Sequence, residues 1–271
     1  MNGEKLPAMN RAVDSSTARN FLDAIDSRSS ESKSRIVLAL DLDYNGQNEN
    51  ETLKSALSIL ELTAKYICAV KINFHLILPL SLSQLGTLND KLSSYGLTSI
   101  ADLKLNDIDN TNRIATEYLW KVGFSAVIVN PFAGYAGGLD TVFSRAKQLG
   151  KGVITLAYMS HRGASEGFGL KLNDGREVFD LFLERANQWG SDGVVIGSTR
   201  PQSIEYAKKK LRSQRIKIFS PGSGAQGGSA AESLAAGADY LIYGRSIISA
   251  KDPRLAAREI FEKLAASQGT V

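Results

Sequence analysis

This chain is short of several residue types, and each shortage removes a class of function. Cys68 is the only cysteine among 271 residues. It can form no internal disulfide and no thiolate metal cluster, which suits a reducing, cytoplasmic setting. Histidine is nearly as scarce, with His75 and His161 the only two. Neither has a second histidine at ligand spacing, so a metal held by histidine is not expected. No apolar run approaches the roughly 18 residues of a membrane span. The first residues lack the apolar stretch of a signal peptide, and Glu4, Asp14 and Asp23 argue against a transit peptide. An excess of one charge is missing too. Set against 28 acidic residues, 32 basic ones leave a balance of +4, spread along the chain. Only Lys208, Lys209 and Lys210 cluster, at the expected end of an exposed helix, which speaks against nucleic acid as a partner.

What the chain does have is a core. With 43% hydrophobic residues at this length, it can bury one large α/β domain or two small ones. Residues 1 to about 15 read as a tail. A short amphipathic helix is expected over 17–26, with Phe21, Leu22 and Ile25 on one face, followed by a serine-rich linker over 27–34. From Arg35 onward, apolar β-branched runs recur at 35–40, 69–73, 99–104, 126–130, 152–159, 193–197, 216–220 and 240–243. Helical patterns follow them at 51–62, 82–94, 111–122, 139–148, 177–189, 201–210, 229–235 and 253–265.

Eight βα units, in a chain close to the ~250 residues typical of a (β/α)8 barrel, predict a TIM barrel. Continuous apolar strands suit a parallel sheet covered by helices. A doubly wound open sheet would share this rhythm, because strand order is not written in the pattern. The count of eight and the polar strand ends favour the barrel. The expected organisation is an N-terminal extension with a short helix over residues 1–33 and a single α/β barrel domain over 34–271.

In such barrels chemistry sits at the C-terminal strand ends, and there the sequence places charge. Asp41 and Asp43 close the first strand, and Lys71 lies within the second. The third carries Asp102 and Lys104, two apart and so on one face, with Asp107 just beyond and a helix expected near Thr111. A lysine inside an apolar strand is costly unless it is paired or wet. The bland reading is a stabilising ion-pair network. Barrel interiors, however, are normally filled by layers of Val, Ile and Leu, so this much charge needs another reason.

A second constellation follows the seventh strand, as Ser220-Pro-Gly222-Ser-Gly224-Ala-Gln226-Gly227-Gly228. Glycines leave backbone N–H groups approachable, and the next helix would offer its N-terminus to an anion. The eighth strand ends Tyr243-Gly244-Arg245, adding a guanidinium suited to phosphate. The same glycines match G-x-G-x-x-G, the dinucleotide pattern. Only one strand follows it, however, and that strand ends in Gly-Arg rather than a ribose-binding carboxylate. A third stretch, from Ser160 to Gly175, is long and glycine-rich enough to close over a ligand.

Together these residues resemble the orotidine 5′-phosphate decarboxylase family in its archaeal and bacterial form. Its D-x-K-x-x-D-I-x-x-T signature stands here as Asp102-Leu-Lys104-Leu-Asn-Asp107-Ile108-Asp-Asn-Thr111. The LALDLD and VKINF strands, Met159-Ser160-His161, SPGSGAQGG and YGRSI fit the same family, and the likeness runs from about Thr17 to the C-terminus. Two departures stand out. Arg162 replaces a proline common in archaeal-type members, and Val129-Asn130-Pro131 lacks the histidine of some relatives.

The resemblance implies decarboxylation of orotidine 5′-monophosphate to UMP and carbon dioxide, without metal or cofactor, as the last step of de novo pyrimidine nucleotide synthesis. It implies that Lys104 protonates C6 and that Asp102 lies against the substrate carboxylate, with Lys71 and Lys104 holding the charged array. Asp41 and Lys71 would bind ribose, Ser160 and Gln226 would serve the pyrimidine edge and lid closure, and Gly244 and Arg245 would hold phosphate. In a homodimer, Asp107 and Thr111 would reach into the partner's site. Sugar-phosphate relatives sharing D-x-K-x-x-D use a magnesium ion held partly by a glutamate on the second strand, where this chain has Lys71. A non-catalytic phosphate-ligand sensor is a further alternative, but it would have no use for Lys104 flanked by two aspartates.

Overall fold

The structure, a computed structural model, describes residues 20–43, 46, 48–211, 215–224 and 227–268. Its strands are β1 (Ile36–Ala39), β2 (Ala69–Asn73), β3 (Thr98–Leu105), β4 (Ala126–Val129), β5 (Gly152–Tyr158), β6 (Gly193–Ile196), β7 (Lys217–Pro221) and β8 (Tyr240–Tyr243). Each pairs in parallel with the next, and β1 pairs with β8, so the sheet closes into a barrel. Closure excludes the open-sheet alternative.

Helix α1 (Phe21–Ser32) precedes the barrel. Around it run α2 (Glu49–Thr63), α3 (Phe74–Ile77), α4 (Leu82–Ser94), α5 (Asp109–Lys121), α6 (Asp140–Leu149) and α7 (Ser165–Phe168). The circuit is completed by α8 (Val178–Trp189), α9 (Pro201–Lys210), α10 (Ala230–Ala235), α11 (Arg245–Ile248) and α12 (Pro253–Gln268). The four-residue helices α3, α7 and α11 were not anticipated, since one turn is too short to show a 3.6-residue period. Among the described residues no helix is long and apolar enough to cross a membrane.

Strand alternation sorts the apolar residues into two cores. Ile36 and Leu38 of β1 and Val70 and Ile72 of β2 face the surrounding helices in one cluster. Val37, Ala39 and Ala69 face the axis in the other, with Ile100, Ile154 and Phe219. Lys71 and Asn73 share the phase of Ala69, so the period of two aims them inward as well.

Helix α1 seals the N-terminal end of this interior. Phe21, Leu22 and Ile25 belong to the axial cluster, as the sequence pattern predicted for that face. Phe21 stacks on Phe219 at 6.5 Å, and Phe219 on Tyr240 at 5.1 Å. A Cβ at Gly152 would lie 2.2 Å from the Phe21 ring, so only glycine lets that ring enter. Asp26 ties the helix down, accepting from the Tyr240 hydroxyl and pairing with Lys217 at 2.9 Å.

The expected linker over 27–34 is therefore mostly helix. Its serines do not break α1, because their hydroxyls bond back along it. Ser30 and Ser32 donate to the Asp26 and Arg28 carbonyls at 2.9 and 2.7 Å. The helix stops at Lys33, in the left-handed region at φ 53°. The expected start at 17 lies outside the described residues. The lysine run ending α9 is occupied locally: Lys208 pairs with Asp239, Lys209 with Glu205, and Lys210 sits over the Tyr206 ring.

Candidate active site

Axial packing stops short of the C-terminal strand ends, where a cavity of about 320 Å³ opens. Its two walls differ in kind. Asp41, Lys71, Asp102 and Lys104 line it from the β1–β3 side. Ile128, Leu156, Val195, Pro221 and Ile242, one from each of β4 to β8, line it opposite.

The charged wall is a chain of alternating sign. Asp102 bridges two ammonium groups, with Oδ2 at 2.8 Å from Lys71 Nζ and Oδ1 at 2.6 Å from Lys104 Nζ. Lys71 also donates to both oxygens of Asp41 at 3.2 Å. Lys71 and Asp102 are 6% and 5% exposed, so both charges are held out of water. Burial alone would pull the Lys71 pKa down, but the Asp102 and Asp41 carboxylates outweigh it and hold the ammonium above its ordinary value. Burial likewise pushes the Asp102 carboxyl up, and Lys71 and Lys104 override it, keeping the group ionised below the usual carboxylate range.

A unit pair at ~3 Å attracts by about 5 kcal/mol at an effective dielectric of roughly 20. Desolvating each ion costs several kcal/mol. The array thus contributes little net stability, and an apolar layer would serve the fold as well. Its presence points to chemistry.

Placing Lys104 requires backbone irregularity that plain alternation does not foresee. Ala101 pairs with Val127 and Leu105 with Val129, so residues 102–104 stand opposite Ile128 alone. Within this bulge Lys104 has φ 48°, left-handed backbone that side-chain-bearing residues rarely adopt. Such strain costs on the order of 1–3 kcal/mol and gathers at functional sites.

The other half of the mouth belongs to the ends of β5 to β8. Ser160 and His161 line the cavity after β5. A Cβ at Gly197 would fall 2.6 Å from Ser160 Cα, so the glycine at the end of β6 is what admits Ser160 there. Gly222, Gly244 and Arg245 border the same space. Arg245 is exposed, and its guanidinium makes no ion pair among the described residues.

Seven of the sequence-predicted site residues thus meet in one cavity: Asp41, Lys71, Asp102, Lys104, Ser160, Gly244 and Arg245. Asp107 and Thr111 do not. Both are exposed and lie outside the cavity of their own chain. Helix α5 starts at Asp109 rather than near Thr111, so Thr111 falls in its first turn, where Asp109 suits the positive end of the helix. The loop before it is braced by buried Asn112, whose Nδ2 donates to the Asp107 carbonyl at 2.6 Å and the Gly138 carbonyl at 2.9 Å. Gln226 lies outside the described residues.

The glycine-rich stretch after β5 folds back against the barrel wall for much of its length. Phe168 packs on Tyr158 and Phe182 at 5.3 and 6.0 Å, and Lys171 bridges to Glu177. The apolar wall was missed in the sequence because inward Ile, Leu and Val at strand ends look like ordinary core. Among the described residues no group of three or more His, Cys, Asp or Glu side chains is arranged to hold a metal ion.

Comparison with known proteins agrees with this geometry. A model of the family described as "Orotidine 5'-phosphate decarboxylase / HUMPS family" matches residues 34–260. The orotidine 5′-phosphate decarboxylase of Pyrococcus furiosus is 41% identical over 229 residues, 84% of this chain and 97% of that protein. That of Pyrococcus abyssi is 40% identical over 229 residues, covering 84% and 98%. The crystal structure of orotidine 5′-phosphate decarboxylase from Pyrococcus horikoshii superposes with a TM-score of 0.69 at 37% identity, covering 85% of this chain and 99% of that one. On its sequence, its closed barrel and the extent of these matches, this chain belongs to the orotidine 5′-phosphate decarboxylase / HUMPS family.

Proposed function

We propose that this protein decarboxylates orotidine 5′-monophosphate to UMP and carbon dioxide, the last step of de novo pyrimidine nucleotide synthesis. The observation that carries the reading is Asp102 held between the Lys71 and Lys104 ammonium groups, facing an apolar wall inside the barrel mouth.

The chemistry follows from those two walls. Breaking the C6–carboxylate bond leaves an electron pair on C6, in the ring plane, with no adjacent carbonyl to receive it. A fixed ammonium beside C6 stabilises that charge in a water-poor site without reorganising during the reaction. Lys104 fills this role and then donates its proton to C6, and water restores the proton to the amine. Asp102 repels the bound carboxylate but not the neutral carbon dioxide that replaces it, and the apolar wall likewise favours the neutral product. Lys71 keeps Asp102 ionised and positioned.

Arg245 and the backbone near Gly222 and Gly244 hold the phosphate, so binding energy remote from C6 positions the ring. Asp41 and Lys71 meet the ribose hydroxyls, and Ser160 meets the pyrimidine edge. Gln226 closes over the pyrimidine in the same reading. Asp107 and Thr111, exposed here, complete the ribose site of a second protomer across a homodimer. Support comes from Ile108, next to Asp107 in the chain and 67% exposed, and from Phe132, just after the neighbouring strand β4 and 71% exposed, large apolar side chains to leave in water. The organisation is an N-terminal extension ahead of one catalytic barrel. Buried Cys68, the sole cysteine, suits a reducing cytoplasm.

The family's name also covers sugar-phosphate enzymes. In this chain the buried Lys71 ammonium, salt-bridged to Asp41 and Asp102, disfavours a divalent cation in that position. Loss of orotidine monophosphate absorbance should therefore proceed at the same rate with EDTA as with added magnesium. Turnover that stops in EDTA and returns with magnesium would contradict the reading.

A further inference from the structure

The mechanism leaves one buried polar group of the cavity unexplained. Ser223 stands in the turn after β7, between Gly222 and Gly224, at φ 100° and 120°. It is 3% exposed and borders the cavity beside Gly222, Arg245 and Ser246. Its Oγ is buried and has no hydrogen-bond partner among the described residues.

Neighbouring serines are not in this state. Ser220 Oγ donates to the Ile196 carbonyl at 2.8 Å, and Ser198 Oγ to the Pro221 carbonyl at 2.9 Å. An unpaired buried hydroxyl is unfavourable in a way that an apolar group of the same shape would not be. The turn is also held in place. Ser223 bridges to Gly228, whose N–H donates to the Gly222 carbonyl at 3.1 Å. A Cβ at Gly228 would lie 2.2 Å from Ser198 Oγ, so this position must be glycine for the returning chain to pack this closely. The backbone is fixed while the hydroxyl is left free to turn about one bond.

We propose that Ser223 is a substrate-binding residue whose hydroxyl donates to an acceptor oxygen of the bound nucleotide. The inference rests on reading this cavity as the nucleotide site. The acceptor belongs either to the phosphate, which Arg245 attends, or to the pyrimidine ring. Both offer oxygen acceptors, and the experiment separates them.

UMP and uridine affinities are measured by calorimetry for the wild type and for Ser223→Ala, Ser223→Val and Ser223→Thr. Loss of the donor in the alanine and valine variants should weaken UMP binding roughly tenfold, with threonine restoring it. The KM for orotidine monophosphate should rise in parallel with little change in kcat, the mark of binding shared by ground and transition states. If the acceptor is phosphate, uridine affinity stays constant across the series. If it is the ring, uridine affinity falls with that of UMP. Unchanged UMP affinity in Ser223→Ala and Ser223→Val would overturn the assignment and leave the hydroxyl a mere orphan. A wild-type protein that binds no UMP would instead overturn the reading of the cavity itself.

Discussion

The Lys104→Ala protein should lose turnover of orotidine monophosphate by roughly 10⁴-fold or more, and still bind UMP. The size follows from two roles falling on one group. Proton donation typically contributes about 10²–10⁴, and a fixed charge aimed at the developing anion contributes about 10²–10³. The variant should fold, because Asp102 keeps its 2.8 Å pairing with Lys71 and the truncation relieves left-handed backbone strain little if at all. Lys104 is also the most exposed member of the buried triad, with 29% of its side chain accessible against 7% for Lys71 and 6% for Asp102. Removing it therefore exposes Asp102 to solvent instead of stranding a buried charge. Steady-state kinetics and UMP titration on the same preparation check this. Near-wild-type turnover would remove Lys104 from the mechanism.

The second large effect concerns the shared site. Asp107→Ala should cost about 10²- to 10³-fold in kcat/KM through loss of positioning. Mixing it with Lys104→Ala should then return activity. In a mixed dimer one site combines both lesions, while the other has Lys104 from one chain and Asp107 from its partner. Random exchange makes half the dimers mixed, so recovery should approach about a quarter of wild-type activity per subunit. The structural basis is the exposure of Asp107, on the loop before α5 that Asn112 braces, and of Thr111 in the first turn of α5, both outside the mouth cavity of their own chain. Mixed dimers that form and stay inactive would show that Asp107 serves its own chain.

Much of this was readable from the residues. Eight β-branched runs with helical spacers gave the barrel, because period-two and period-3.6 burial leave different marks on a chain. Lys71, Asp102 and Lys104 were conspicuous because charge inside an apolar strand is expensive, so the site revealed itself through that expense. Gly244 and Arg245, proposed to hold phosphate, were visible for their type and position at a strand end.

The remainder was hidden for identifiable reasons. Serines 27, 30 and 32 looked like a linker because their propensity is weak, and tertiary contacts such as the Arg28 bond to the Ala64 carbonyl carry the helix through them. The bulge at 102–104 leaves no trace in sequence, since it involves neither glycine nor proline. Ile128, Leu156, Val195 and Pro221 are chemically identical to core and become a wall only by standing at the last layer before the cavity. Ser223 was indistinguishable from any serine in a glycine-rich turn until its missing partner could be seen.

The assignment of Lys104 as the proton donor to C6 can be tested directly by running its last step backwards. By microscopic reversibility, if the Lys104 ammonium protonates C6, the neutral Lys104 amine removes that proton from bound UMP. In deuterium oxide, proton NMR should show the wild-type protein exchanging the C6 hydrogen of UMP, while Lys104→Ala leaves it intact at matched occupancy. Equal exchange by the two proteins would contradict the account.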